Sequence, residues 1–131
     1  MAIRFDASFL DISEVEGVTR ILLSLDDNLE GEQYLMVQRQ LAPSEKEVHF
    51  GMNDVYIETC GQGWSWYGHI DRFTLLPDRI LVQLDATAAS EIGDDGSIEV
   101  SFQLPPQRFA TLQAALQRAF RDRAYYTEAA A

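Results

Sequence analysis

Three side chains near the middle of the chain have the types needed for acid–base work. Glu58, His69 and Asp71 fall in two runs, Val55–Cys60 and His69–Leu76, that read as neighbouring strands of one hairpin, so a carboxylate could meet an imidazole across it. Cys60 and His69 could likewise be drawn as nucleophile and base, but the sequence supplies no oxyanion site and no third group to orient them. A carboxylate and a histidine paired across strands are ordinarily an exposed polar face, so the reading is against an enzyme, with a small hydrolase using Glu58 and His69 as the alternative.

Metal and nucleotide chemistry have less to stand on. His49, Cys60 and His69 are the soft ligands, and no pair has zinc-motif spacing. Asp94-Asp95-Gly96 lacks the regular order of a calcium loop, and Gly61-Gln62-Gly63 lacks the third glycine, the helix and the Lys-Ser/Thr end of a phosphate loop. No cofactor and no metal are expected.

The sharper feature is aromatic. Trp64, Trp66 and Tyr67 sit in the connection after Val55–Cys60, with Tyr56 and Glu58 just before and Asp71 just after. Rigid rings beside carboxylates make good protein-binding anchors, because they bury much area at little entropic cost. Against this, one tryptophan, Trp66, is the ring expected to fold over the open edge of the core. The expected contact set is Tyr56, Glu58, Trp64, Trp66, Tyr67 and Asp71.

These residues must be carried by a sheet. Asp54 to Asp85 reads as a three-stranded antiparallel meander, Val55–Cys60, His69–Leu76 and Arg79–Asp85, with turns at Gly61-Gln62-Gly63 and Pro77-Asp78. Ile70 is out of step with Phe73 and Leu75, which calls for a β-bulge between them. Upstream, Ile3–Phe9 alternates as a first strand that Asp11–Gly17 breaks; Val18–Leu25 and Gln33–Leu41 follow, separated by the polar loop Asp26–Glu32. Ala42-Pro43-Ser44 is a break, and Glu47–Phe50 is a short strand. Downstream, Thr87–Ile92 forms a helical turn and Ser97–Gln103 alternates cleanly, with Ile98, Val100 and Phe102 on one face.

After Leu104-Pro105-Pro106, the positions Phe109, Leu112, Leu116 and Phe120 recur at helical spacing, and Pro106 suits a first turn. That stripe needs an apolar face to cover it. The expected fold is therefore α+β: a mainly antiparallel β-sheet of about six or seven strands, packed on one face by a C-terminal α-helix. Residues 1–131 form a single domain, with the sheet over residues 3–103 and the helix over about 106–121. Tyr125-Tyr126 packs back on the sheet and Thr127–Ala131 frays.

Composition fits one domain with a real core, 47% hydrophobic and 24% charged. The N-terminus has no signal-peptide pattern, no apolar run is long enough to cross a membrane, and one cysteine fits a reducing compartment, so a cytoplasmic location is expected. Net charge is −11, and residues 1–104 carry 6 basic and 19 acidic side chains against 4 and 2 in the remainder. Such a field repels nucleic acid and anionic membrane and speeds encounter with a basic protein, although acidity also serves plain solubility. The seven carboxylates between Asp11 and Glu32, with only Arg20 among them, read first as a solvated loop rim.

Across roughly Gly51 to Phe120 the order of features resembles the immunity protein 10 family of bacterial polymorphic toxin systems. The resemblance is carried by Gly51-Met52, Val55-Tyr56-Ile57-Glu58, the aromatic-rich turn Gly61–Gly68, the runs Ile70–Leu76 and Ile80–Leu84, and the strand Ile98–Phe102 followed by a helix. The first 50 residues match only in strand order. The resemblance implies a small cytosolic antidote that binds and blocks a cognate toxin domain without catalysis. A self-associating homodimer or ligand-binding α+β domain is the competing class. If the toxin is a basic nuclease, the acidic face would occupy its nucleic-acid site.

Overall fold

Alternation of apolar and polar residues builds most of the molecule. The computed structural model describes residues 3–25, 33–41, 45–49, 54–59 and 64–130. Among them are the strands β1 (Ile3–Asp6), β2 (Phe9–Val15), β3 (Val18–Ser24), β4 (Tyr34–Gln40), β5 (Tyr56–Thr59), β6 (Trp64–Tyr67), β7 (Ile70–Leu76), β8 (Arg79–Leu84), β9 (Ser97–Ser101) and β10 (Tyr126–Glu128). The helices are α1 (Glu45–His49), α2 (Ala86–Ile92) and α3 (Pro106–Ala119).

The strands form two five-stranded sheets. One has the order β1-β9-β8-β7-β10, with parallel pairs β1–β9 and β7–β10 at its two edges. The other has the order β2-β3-β4-β5-β6 and is antiparallel throughout. The α+β class and the helix packed on a sheet are as expected, but two sheets replace the single one.

The chain changes sheets at two places, one inside the run read as a continuous strand and one at the end of the connection that carries the tryptophans, where Trp64–Tyr67 is itself strand β6. At Ala7-Ser8 the Ala7 amide donates to Ser101 O in the first sheet and the Ser8 amide to Ser24 O in the second, so Ile3–Phe9 is split. At Gly68-His69 the Gly68 amide donates to Val55 O in the second sheet, while His69 O accepts from the Asp85 amide in the first. Both residues there have positive φ, 79° and 61°. A Cβ on Gly68 would stand 2.8 Å from an Asp54 carboxylate oxygen, and the φ of 79° itself favours glycine at this turn. The expected meander is therefore cut in two: β5 and β6 belong to one sheet, β7 and β8 to the other.

Local corrections follow the same logic. Asp11–Gly17 is not a break, because β2 and β3 form a hairpin whose Glu16-Gly17 turn has positive φ at both positions. Val48 and its neighbours form the short helix α1 and not a strand. Thr127 and Glu128 do not fray but pair with Thr74 and Leu75. The bulge is present, as the β7–β8 register shifts between Ile70 and Arg72. The loop Asp26–Glu32, the break at 42–44, Gly51-Met52 and the turn at 61–63 with Cys60 lie outside the described residues.

One apolar cluster joins both sheets and α3. The rows Phe5–Val100–Ile80–Leu75 and Ile98–Val82–Phe73 line the first sheet's inner face. Ile21–Val37–Ile57–Trp66 and Leu23–Leu35 line the second's. Leu112, Ala115, Leu116 and Ala119 of α3 are buried between them, as the apolar stripe requires. Beyond the helix, Phe120 stacks on Tyr126 with centroids 5.1 Å apart and meets Phe73 at a tilt of 42°, 4.4 Å away.

Arg39 stands among these residues, 8% exposed. Its guanidinium donates to Ala119 O at 3.0 Å and Arg121 O at 2.8 Å, closing the C-terminal end of α3, and burial holds its pKa below the usual arginine value. Removing it leaves those carbonyls short of a charged donor. Both bonds come from the single nitrogen Nη1, so Arg39→Ala is expected to destabilise the fold by about 2–4 kcal/mol in urea unfolding, and Arg39→Lys, whose ammonium can still donate from one nitrogen, by less. Arg79→Ala, on the opposite face, should change stability by about 0.5 kcal/mol or less.

Candidate functional site

The β5–β6 hairpin sorts the candidate residues by parity. Pairing of Tyr56 with Tyr67, Ile57 with Trp66, Glu58 with Ser65 and Thr59 with Trp64 puts Tyr56, Glu58, Ser65 and Tyr67 on one face and the tryptophans on the other. The tryptophan face is the core face. Trp66 is 8% exposed and its indole nitrogen donates to Glu91 of α2 at 2.6 Å, while Trp64 is half-buried against the same cluster. Trp66 thus folds over the core as expected of one ring.

The opposite face holds a built cluster. The Tyr34 hydroxyl on β4 donates to one Glu58 oxygen at 2.5 Å, and the Tyr56 hydroxyl donates to the other. Tyr67 lies beside Tyr56 with ring centroids 5.2 Å apart at 57°, and it is 40% exposed. Burial, and then the bond to Glu58, raise the Tyr56 phenol above its ordinary pKa, so it stays a donor through the physiological range. β6 is the outermost strand of its sheet, which leaves this cluster at an edge. Along the cross-strand row it continues through Gln38 to Arg20 and Ser13.

Asp71 is elsewhere. It is the bulge residue on β7 of the other sheet, exposed and past the crossing at Gly68-His69. Of the six expected contact residues, the structure thus brings Tyr56, Glu58 and Tyr67 together, turns Trp64 and Trp66 inward, and sets Asp71 on another surface. Tyr34 was not among the six. Its alternation with Leu35 and Val37 puts it on the face opposite theirs, where it is nonetheless buried, and the β4–β5 register that places it over Glu58 is set across a long connection.

The acid–base candidates separate as well. Glu58 is engaged by two tyrosines, whereas His69 Nδ1 lies 2.8 Å from Asp85 Oδ2. Cys60 lies outside the described residues. Two open hollows, of about 590 and 450 Å³, are on the β1-β9-β8-β7-β10 side and contain none of the six. Among the described residues no group of three His, Cys, Asp or Glu is placed to hold a metal ion. No described helix is long and apolar enough to cross a membrane.

A family model described as Immunity protein 10 matches residues 6–110, most of the chain, including the whole tyrosine–carboxylate cluster. The chain belongs to the immunity protein 10 family. The match reaches back through the first strands, beyond the Gly51–Phe120 stretch where the resemblance was clearest, and ends inside α3. No curated protein matches the chain.

Asp85 also caps α2, accepting from the Ala88 amide at 3.0 Å. That bond, and then His69, hold its carboxyl below the usual carboxylate range. Because the folded-state pKa is depressed, the stabilisation is present above the unfolded value and is lost as pH falls through the folded one. Asp85→Ala is expected to cost about 1 kcal/mol at neutral pH, with the gap from the parent chain narrowing as urea-unfolding series are moved into the acid range.

Proposed function

We propose that this chain is an immunity protein that binds and neutralises a cognate bacterial toxin domain by protein–protein contact in the cytoplasm, without catalysis of its own. Membership of the immunity protein 10 family supports the immunity role. The observation that carries the contact surface is the Tyr56–Glu58–Tyr67 face, where a carboxylate pinned by two hydroxyls sits beside a half-open aromatic pair at a sheet edge. Pinning matters because a contact group already held in place loses little entropy on binding, and tyrosines supply area with few rotamers to freeze. Trp66 contributes by fixing the β6 backbone from the core side.

The net charge of −11 suits a basic partner and gives the encounter a salt-sensitive rate. If the toxin is a nuclease, the acidic face would stand where its nucleic acid binds, which would block the site directly.

The test is to capture the partner from source-cell lysate on the immobilised chain and then co-express the chain with the captured toxin domain, scoring survival and co-purification. The parent chain should protect. Glu58→Gln and Tyr67→Ala should weaken the complex about tenfold or more while the melting temperature moves by about 2 °C or less. Trp66→Ala should instead lower the melting temperature and lose protection through the fold. A chain that neither protects nor co-purifies, and elutes as a stable dimer, would point to the self-associating reading.

A further inference from the structure

We infer that the Glu58 carboxylate, held by Tyr34 and Tyr56 and flanked by the Tyr67 ring, is the receptor for one arginine side chain of a protein partner. This rests on the reading of the same face as a protein-binding surface. Charge complementarity names the occupant. Glu58 makes no ion pair among the described residues, although arginines elsewhere on the surface are paired, Arg4 with Glu99, Arg118 with Glu14 and Arg123 with Asp54. A carboxylate accepts at about four lone-pair sites, and the two phenols use one on each oxygen, which leaves acceptor capacity on both for an incoming donor.

The rings select among cations. Tyr56 and Tyr67 meet at 57° with centroids 5.2 Å apart, a tilted pair with Tyr67 open to solvent. A planar guanidinium can lie on a ring face while its fork reaches the adjacent carboxylate; a compact, strongly hydrated ammonium gains less from either. A phenol that donates to a carboxylate also becomes more electron-rich, which favours a cation on its ring face. A metal ion fits poorly, since Glu58 is a lone carboxylate with phenols as its neighbours.

The full chain with labelled tyrosine rings should be titrated by NMR with N-acetyl-arginine amide, N-acetyl-lysine amide and the neutral citrulline analogue at constant ionic strength. Arginine amide is expected to shift the Tyr56 and Tyr67 rings saturably, lysine amide to bind about threefold or more weakly, and the citrulline analogue not to shift them. Glu58→Gln should weaken the arginine response about tenfold, Tyr67→Leu about threefold or more, and Asp71→Asn not at all. Equal response to all three probes, equal response to arginine and lysine, or a Glu58→Gln chain that titrates like the parent would overturn the inference. So would ring shifts that follow protein dilution alone, which would make a second copy the occupant. No toxin is used, so a failure here removes the arginine receptor and leaves the antidote reading to its own co-expression test.

Discussion

The contact between Arg39 and the end of α3 is the constraint on which the arrangement of faces depends. Strand β4 is central in its sheet, and its inward side chains Leu35, Val37 and Arg39 point at the helix. Leu35 and Val37 are satisfied by apolar packing alone, which would let the helix slide. Arg39 is not: a buried guanidinium needs acceptors, and the unpaired carbonyls of a helix C-terminus need donors. Each resolves the other's cost at one axial position. With α3 fixed there, the face bearing Ile57 and Trp66 is the core face, and by strand parity the face bearing Tyr56 and Glu58 must meet solvent.

Parity within a strand was legible in the sequence; pairing between strands was not. The alternation of Ser97–Ser101 and the helical spacing of Phe109, Leu112 and Leu116 each encode one element and its buried side, and both stand as read. The bulge could be read because Ile70 breaks the parity of Phe73 and Leu75 within one strand. By contrast, the parallel pairing of Ile3 with Ile98 joins segments far apart in the chain, and no local pattern records it. The change of sheet at Gly68-His69 was hidden for another reason: two positive-φ residues make a turn whether the chain folds back on the same sheet or leaves it.

The same distinction governs the candidate site. Tyr56 and Glu58 are two apart on one strand and had to share a face, so their association was secure once the strand was read. Trp64 and Trp66 also share a face, but which one depends on the register with Tyr56 and Ile57 across a connection that carries no alternation signal. Asp71 looked close because only twelve residues separate it from Glu58, yet the chain crosses to the other sheet within that interval. Tyr34 lay in plain view on the face opposite Leu35 and Val37, and only the diagonal geometry of β4 and β5 makes it a partner of Glu58.

The charge distribution assigns separate roles to the surface and to the site. The ion pairs between described residues are largely solvent-exposed, the arginine of the Arg4–Glu99 pair by 69% and the aspartate of the Asp78–Arg79 pair by 73%, and pairs of that kind add little to stability. Those exposed pairs are therefore not what holds the fold, and the net negative charge contributes a field that reaches only about 8–10 Å at physiological salt. A field of that range can steer an encounter without fixing its geometry. Geometry needs groups that are held in place beforehand, and on the face proposed for contact those are the Glu58 carboxylate with its two hydroxyls and the ring pair beside it. On the proposed reading, diffuse acidity would set how fast a basic partner approaches and the ordered carboxylate how long it stays.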